Sequence, residues 1–387
     1  MNLSIDQTFL QETLVNLVRI NSTNPLLTPG SPGEVLAGQY IADAMASLGL
    51  DVTVHQLESN RVNVVAILKG SGGGQSLMLN GHLDTVGVDR MENPFSGTIR
   101  EGKLYGRGSQ DMKGSLAAIM AALKALVDAN VSLGGDVIFT AVADEEHSSI
   151  GTEHIVKHYT ADAAIVAEPT DMAVGLAHRG FIWYQVETFG RAAHGSRYSE
   201  GIDANMRMGR FLAELDKLEQ ELLQRPPHLL AGPPSLHASL ISGGTELPVY
   251  AAHCLLQMER RTIPGEETTQ ATRELQNIID KLAAADPTFK ASLKSTFERA
   301  PFEISPNADI VRITDAAVAK RLGQPASHIG CTFWTDAALL AESGIDTLLL
   351  GPIGQGLHSA EEWVDLSSVL DLAYILADVA VAFCGLR

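Results

Sequence analysis

Residues 137–149 read VIFTAVADEEHSS. The apolar, β-branched run from Val137 to Val142 has the length and composition of a buried strand. It ends in three consecutive carboxylates, Asp144, Glu145 and Glu146. Carboxylates bunched at the end of such a strand repel one another and resist desolvation. Either they form a solvated acidic loop, or a positive charge holds them in place.

Neighbouring segments repeat the pattern. AAIVAE at 163–168 reads as a second buried strand and ends in Glu168. Upstream, DVTVHQL, NVVAILKG and SLMLNGH read as three strands, the last running into His82. Helical spacing covers residues 6–20, 34–48 (closing at Gly49) and 114–129, and another helix begins near Ser149 or Gly151. The glycines of GSGGG at 70–74 lie between two strand patterns, so they read as a hairpin loop and not as a phosphate cradle opening a helix. Strands alternating with helices predict an α/β fold: a mostly parallel sheet with helices on both faces. Ligands gather at the carboxyl ends of the strands in such sheets.

The texture changes after about residue 178. FIWYQVETFG, the long amphipathic stretch NMRMGRFLAELDKLEQELLQ, SLHASLISGG, CLLQMERR, TTQATRELQNIIDKLAAA and FKASLKSTFE follow in turn. Strand, helix, two strands, helix, strand is the order of a ferredoxin-like α+β module. From about residue 300 the helix–strand alternation resumes. The expected organisation is therefore a discontinuous α/β domain, 1–177 and 298–387, interrupted by a smaller inserted domain, 178–297.

Composition narrows the function classes. The chain has 387 residues, 45% of them hydrophobic, enough for well-cored domains. A formal charge of −18 repels phosphate backbones and anionic lipid, so neither nucleic acid nor membrane is an expected partner. The N-terminal stretch lacks the pattern of a signal peptide, and no apolar stretch is expected to reach bilayer length. Cys254, Cys331 and Cys384 are scattered and odd in number, which fits a reducing cytoplasm and buried packing roles.

Several strand ends and loops carry metal-ligand chemistry. In GHLDTVG, His82 and Asp84 share one side of an extended segment, as a zinc-binding imidazole and its orienting carboxylate do. Asp111 sits in the turn YGRGSQDMKG just before a helix, where an ordinary N-cap is the alternative. His358 lies in the loop GPIGQGLHSAEEW. A parallel sheet brings such ends to one rim. His82, Asp111, Glu145 or Glu146, Glu168 and His358 then make a mixed N/O set suited to two zinc-like ions, with one carboxylate bridging. Cations would also relieve the repulsion among the carboxylates.

With these motifs in place, the sequence resembles the di-zinc metallopeptidase and deacylase family of acetylornithine deacetylase, succinyl-diaminopimelate desuccinylase, aminoacylase and glutamate carboxypeptidase. GHLDTV, GRGSQDMKG, DEE, AEPT, GRAAHGS, ERRTIPGE and GLHSAEEWV occur in family order over most of the chain. The resemblance implies His82, Glu146, Glu168 and His358 as terminal ligands of two Zn2+ ions, replaceable by Co2+, with Asp111 bridging. It also implies that Asp84 supports His82 and that Glu145 is the general base. A metal-activated water would attack an amide carbonyl while this base carries the proton to the leaving amine. His194 in GRAAHGS would stabilise the oxyanion, often from the partner subunit of a dimer, and Arg261 would bind a substrate carboxylate. Neighbouring Arg260 has a surface or salt-bridge role as its alternative.

The implied enzyme is a cytoplasmic homodimer, joined through the insert as lid and dimerisation domain. It would cleave the amide of an N-acyl amino acid. Carboxypeptidase or dipeptidase action on a short peptide, or a catalytically silent metal-stabilised binding protein, are the alternatives. Glu168 in AEPT favours deacylase or carboxypeptidase action over aminopeptidase action. Pro248 stands where many relatives carry an asparagine near the substrate carboxylate. Proline offers neither a side-chain amide nor an N–H, so carboxylate recognition is expected to differ. Trp334 and Asp336 are specificity candidates, and Asp144 has no assigned role.

Overall fold

Strands buried on both faces need cover on both, and this chain provides it by alternating strands with helices. The computed structural model describes residues 3–386. Met1, Asn2 and Arg387, the end positions of the expected α/β domain, lie outside the described residues.

The chain begins with α1 (Gln7–Arg19), whose first turn is capped by the Asp6 carboxylate on the Phe9 amide, and α2 (Val35–Ser47). Strands β1 (Asp51–Glu58), β2 (Arg61–Leu68) and β3 (Leu77–His82) follow. Short strands β4 (Thr98–Arg100) and β5 (Lys103–Tyr105) lead to α3 (Gly114–Asp128). Next come β6 (Val137–Val142), α4 (Ile150–His158), β7 (Ala163–Val166), β8 (Val174–His178) and β9 (Gly180–Phe189). Then α5 (Ala204–Gln224), β10 (Ser235–Gly243), β11 (His253–Thr262), α6 (Thr268–Ala285), β12 (Lys290–Arg299) and β13 (Phe302–Glu303) succeed one another. The chain ends with α7 (Asp309–Leu322), β14 (His328–Cys331), α8 (Ala337–Glu342), β15 (Asp346–Leu349), β16 (Gly354–Gln355), β17 (Trp363–Asp365) and α9 (Leu366–Cys384).

The residues form two compact units. One comprises residues 3–176, Ile304–Ile329 and 335–386; the other comprises Ala177–Glu303 and Gly330–Trp334. The second unit thus extends past the expected boundary at 297, because β12 runs on to Arg299 and β13 follows it.

In the first unit the sheet order is β1-β2-β6-β3-β7-β15-β8. The pairs β6–β3, β3–β7 and β7–β15 are parallel, whereas β1–β2, β2–β6 and β15–β8 are antiparallel. Every residue of β3, β6 and β7 is buried, as central strands covered on both faces require. α3 packs on α1 and α9, and α4 packs on α8.

Two expectations fail in this unit. Gly70–Gly74 is not a hairpin loop, because β6 lies between the strands it connects. Its glycines permit a close backbone crossing: a Cβ on Gly74 would stand 2.1 Å from the Cys384 carbonyl oxygen and 2.4 Å from the Gly135 nitrogen. One segment also does reach bilayer length, since α9 has 19 residues with a mean hydropathy of 1.8 in its most apolar window. Its apolar surface is taken up by packing against α3 and α7, as in the core helix of a globular protein.

A second, small antiparallel sheet of this unit, ordered β16-β17-β5-β4, matters for the site. It pairs Leu104 with Val364, so the hairpin bearing His358 is tied to the strand that leads to Asp111.

In the second unit β10-β11-β9-β12 form an antiparallel sheet, the ferredoxin-like arrangement. α5 places Met208, Phe211, Leu215, Leu218 and Leu222 on one stripe, and α6 places Ala271, Leu275 and Ile279 on another. Both stripes join the core formed by alternate residues of β9 and β11, including Ile182, Tyr184, Val186, Leu256 and Met258.

Candidate metal centre

Parallel neighbours carry their C-terminal ends to the same rim, and the expected ligands of the first unit converge there. His82 closes β3, Glu145 and Glu146 follow β6, and Glu168 follows β7. Asp111 and His358 arrive on loops attached to the small sheet. Asp111 is not a helix cap: α3 starts three residues later, at Gly114, and its capping position is Lys113.

Asp111 spans the two sides of the cluster. Its Oδ1 lies 3.0 Å from His82 Nε2, and its Oδ2 lies 3.3 Å from His358 Nε2. His358 Nε2 also reaches Glu146 Oε2 at 3.1 Å, and His82 Nε2 lies 3.8 Å from Glu168 Oε1. Two groups of donor atoms each fit within 4.8 Å: His82, Glu145 and Glu168, and His82, Asp111 and Glu146. Glu145 and Glu146, adjacent in sequence, thus fall into different groups.

Below the rim a buried network aims these side chains. Asp84 accepts the backbone N–H groups of Glu145 (3.1 Å) and Glu146 (3.3 Å), and the Asn24 amide at 2.8 Å. The contact to His82 Nδ1 comes from the Asp84 backbone oxygen at 2.9 Å, while its carboxylate stays 3.7 Å away. Asp84 therefore orients the imidazole with its main chain and the glutamate pair with its side chain. Asp144, unassigned from sequence, accepts bonds from Asn24 (3.0 Å), Arg61 (2.8 Å) and Ser148 (2.6 Å). Its backbone is left-handed, with φ at +69°, which turns the chain sharply between strand and glutamates. Arg61 in turn holds Glu34 through three contacts of 2.7–3.0 Å.

A second support comes from Glu362. It accepts the N–H groups of Gly108, Gln110 and Asp111 at 3.0, 2.9 and 3.1 Å and the Arg107 guanidinium at 2.7 Å. Arg107 also donates to the Ser359 carbonyl at 2.9 Å, joining the Asp111 loop to the His358 loop. Sequence reading missed Asn24, Glu34, Arg61, Arg107 and Glu362. Asn24, Glu34 and Arg61 are polar residues outside the quoted motifs, marked only by their burial. Arg107 and Glu362 lie inside GRGSQDMKG and GLHSAEEWV, where the motif was the signal that could have found them.

Charge in the cluster is costly and shared. Burial, with Asp111, Glu146 and Asp336 nearby, pushes Glu168 up to about 8. Burial and Asp111 push Glu146 up to about 6, and burial and Glu168 raise Glu145 well above the usual carboxyl range. Burial also works against ionised Asp111, but bonds from His358 and His82 hold its carboxyl far below its ordinary value. The same bonds to Asp111 and Glu146 lift His358 to about 10. A divalent cation supplies the compensation that these groups otherwise draw from protons and one another. The buried Glu146 Oε1 has no hydrogen-bond partner, and imidazole with carboxylate is a zinc-type donor set. The residues present fit a metal.

The description "Peptidase family M20/M25/M40" matches residues 78–382. The chain belongs to that family. It is 30% identical to an N-formyl-4-amino-5-aminomethyl-2-methylpyrimidine deformylase of Halalkalibacterium halodurans, with 97% of this chain and 96% of the relative covered. It is 28% identical to an acetylornithine deacetylase of Myxococcus xanthus, with 98% of each covered. Its fold matches that of a dinuclear metal binding peptidase of Bacillus subtilis with a TM-score of 0.74, at 16% identity over 97% of this chain and 98% of the other. The chain is accordingly a metal-dependent amidohydrolase or peptidase with the family's α/β fold.

Two further expected residues lie in the second unit. His194 is exposed on a loop, its Nδ1 2.8 Å from Ser196 Oγ, and Pro248 accepts the neighbouring Gly195 N–H at 2.7 Å. Arg261 on β11 is partly exposed and pairs with Glu259 at 2.6 Å. Arg260 is buried, bonded to Glu266 and to the Arg261 carbonyl, and so takes the salt-bridge alternative. Trp334 belongs to the second unit, where it donates to the Ala300 carbonyl. Asp336 belongs to the first, where it is buried and accepts Thr152 Oγ1 at 2.6 Å.

Proposed function

We propose that this chain is a dinuclear-metal deacylase that hydrolyses the amide of a small N-acyl amine, with N-acyl amino acids as its main substrate class. The observation that carries this reading is Asp111, whose two oxygens face His82 and His358, with Glu168 near His82 and Glu146 near His358. His82, Asp111, Glu146, Glu168 and His358 would hold the ions, Asp111 between them, since its two oxygens face different histidines. Bound there, zinc (or cobalt in its place) would act as a Lewis acid on water and on the scissile carbonyl.

Glu145 would be the base. Its Oε takes a proton from the attacking water as the new C–O bond forms, then delivers a proton to the amine nitrogen as the C–N bond breaks. Burial and Glu168 already raise its proton affinity, which suits a group that must hold a proton between these steps. Asp84 fixes the Glu145 backbone and keeps the base from drifting. His194 would stabilise the developing oxyanion, and Arg261 would receive a substrate carboxylate. We further propose a cytoplasmic homodimer joined through the second unit. The edge strand β10 supports this, since it leaves Leu240 and Ile241 more than half exposed. Three buried cysteines that form no disulfide suit a reducing compartment.

Pro248 beside His194 favours a second reading, a substrate that makes no carboxylate contact there, such as an N-formyl aminomethyl-pyrimidine. Zinc-loaded protein assayed on acetyl, formyl and succinyl amides and on dipeptides tests both readings. Turnover of dipeptides alone would overturn deacylation. Activity surviving complete metal removal would overturn the metal mechanism.

A further inference from the structure

Three histidines outside the candidate metal centre meet on the surface of the first unit. His154 and His158 stand four residues apart on α4, so their rings share one helix face and stack with centroids 4.1 Å apart. His55 on β1 adds a third ring, 4.8 Å from His154 and 6.4 Å from His158. Nothing in the hydrolytic site uses these residues.

We propose that His55, His154 and His158 form a second kind of metal site, a surface trihistidine site for a zinc-class transition ion. Three imidazoles around one tetrahedral zinc, with Zn–N bonds of ~2.0–2.1 Å, set ring centroids roughly 5 Å apart. The observed centroid spacings bracket that value, and binding would turn the rings about their side-chain bonds, unstacking His154 from His158, to aim one nitrogen of each at a single ion. Each ring also keeps one nitrogen for an ion. His158 Nδ1 is held at 2.8 Å by the His154 carbonyl, which leaves its Nε2 as the free acceptor. His55 Nε2 meets the Tyr159 hydroxyl at 2.6 Å, which leaves Nδ1. His154 Nε2 is buried and has no hydrogen-bond partner. Anchoring one imidazole nitrogen on a carbonyl or hydroxyl while the other faces the ion is the usual support of a histidine ligand. Burial, together with the neighbouring rings, also lowers the proton affinity of His55 and His154, favouring the neutral form that binds metal. A surface groove of roughly 340 Å³, lined by His154 with Glu58, Glu153 and Lys157, borders the cluster on one side.

Packing alone also explains stacked histidines, and the test separates the two. Wild-type protein, the His154→Gln/His158→Gln variant and a His55→Phe variant are equilibrated with micromolar free zinc. Bound metal per chain is then measured by elemental analysis after gel filtration, and amide hydrolysis is assayed in parallel. His55→Phe keeps a ring against Tyr159 but removes the ligand nitrogen. The proposal expects wild type to hold one zinc more per chain than either variant, with hydrolysis unchanged. Equal zinc content in all three overturns it, as does loss of zinc that always accompanies loss of hydrolysis. Should the double variant misfold by circular dichroism, His158→Gln, altering an exposed side chain, gives the same comparison.

Discussion

Glu362→Gln probes how the two ligand loops are held. The carboxylate takes two donors on each oxygen: Arg107 and Gly108 on Oε2, Gln110 and Asp111 on Oε1. An amide of the same shape keeps one accepting oxygen and turns an NH2 toward the other pair of donors. Two bonds to a charged group are lost, each worth ~1.5–3 kcal/mol, a gross penalty of about 3–6 kcal/mol. Loop relaxation absorbs part of this, and only the part that displaces Asp111 reaches the metal. Losses in the shell behind metal ligands cost ~10–100-fold in affinity, equivalent to about 1.4–2.7 kcal/mol. Zinc competition against a chromophoric chelator measures this directly. The variant is expected to bind zinc within that range more weakly, whereas Glu361→Gln, altering the exposed neighbour, is expected to match wild type. A folded Glu362→Gln protein with wild-type zinc affinity would refute the reasoning.

Four further outcomes are expected. Glu145→Ala keeps its metal content but loses ~10²–10⁴-fold in kcat, whereas Glu146→Ala loses metal by elemental analysis; the reverse assignment would exchange base and ligand. Arg61→Met leaves Glu34 and Asp144 without their buried partner and costs ~3–5 kcal/mol in urea unfolding, and the further change Glu34→Gln restores part of that loss. Burial lifts Glu34 from 4.5 to about 7 despite the bond from Arg61, so the folded protein holds that proton more tightly than the unfolded chain. Stability from this group is full below pH ~4.5 and falls as pH rises through 7, by about 3 kcal/mol, and Glu34→Gln removes that part of the slope. Burial raises the Cys384 thiol to about 12 and all three thiols are buried, so a thiol reagent at neutral pH labels them only after denaturation.

Periodicity and residue chemistry carried much of this protein into view. β-branched runs at 137–142 and 163–166 become strands because nothing local competes, and the stripes of α5 and α6 need only one apolar face to cover. The carboxylates and histidines were legible for a related reason: carboxylates are expensive at the ends of buried strands, so their presence there calls for a compensating charge. The ordered motifs then singled out individual residues. Strand order was not legible. GSGGG reads as a turn whether its strands pair or are parted by β6, since local sequence holds no record of a neighbour that arrives more than 50 residues later. Likewise α9 is apolar enough to span a bilayer, and only its packing on α3 and α7 accounts for that composition.

The sequence by itself determined the elements, the division into an α/β frame with a ferredoxin-like insert, and which side chains crowd one rim. Tertiary structure decided how they are aimed. Asp84 grips the backbones of both Glu145 and Glu146, and from that shared anchor their side chains reach different donor groups. Asp144, chemically their equal, turns the other way to Arg61, since its left-handed backbone reverses the chain at that residue. Three neighbouring carboxylates thus fall to three environments, because hydrogen-bond geometry is set by partners distant in sequence and close only in the fold.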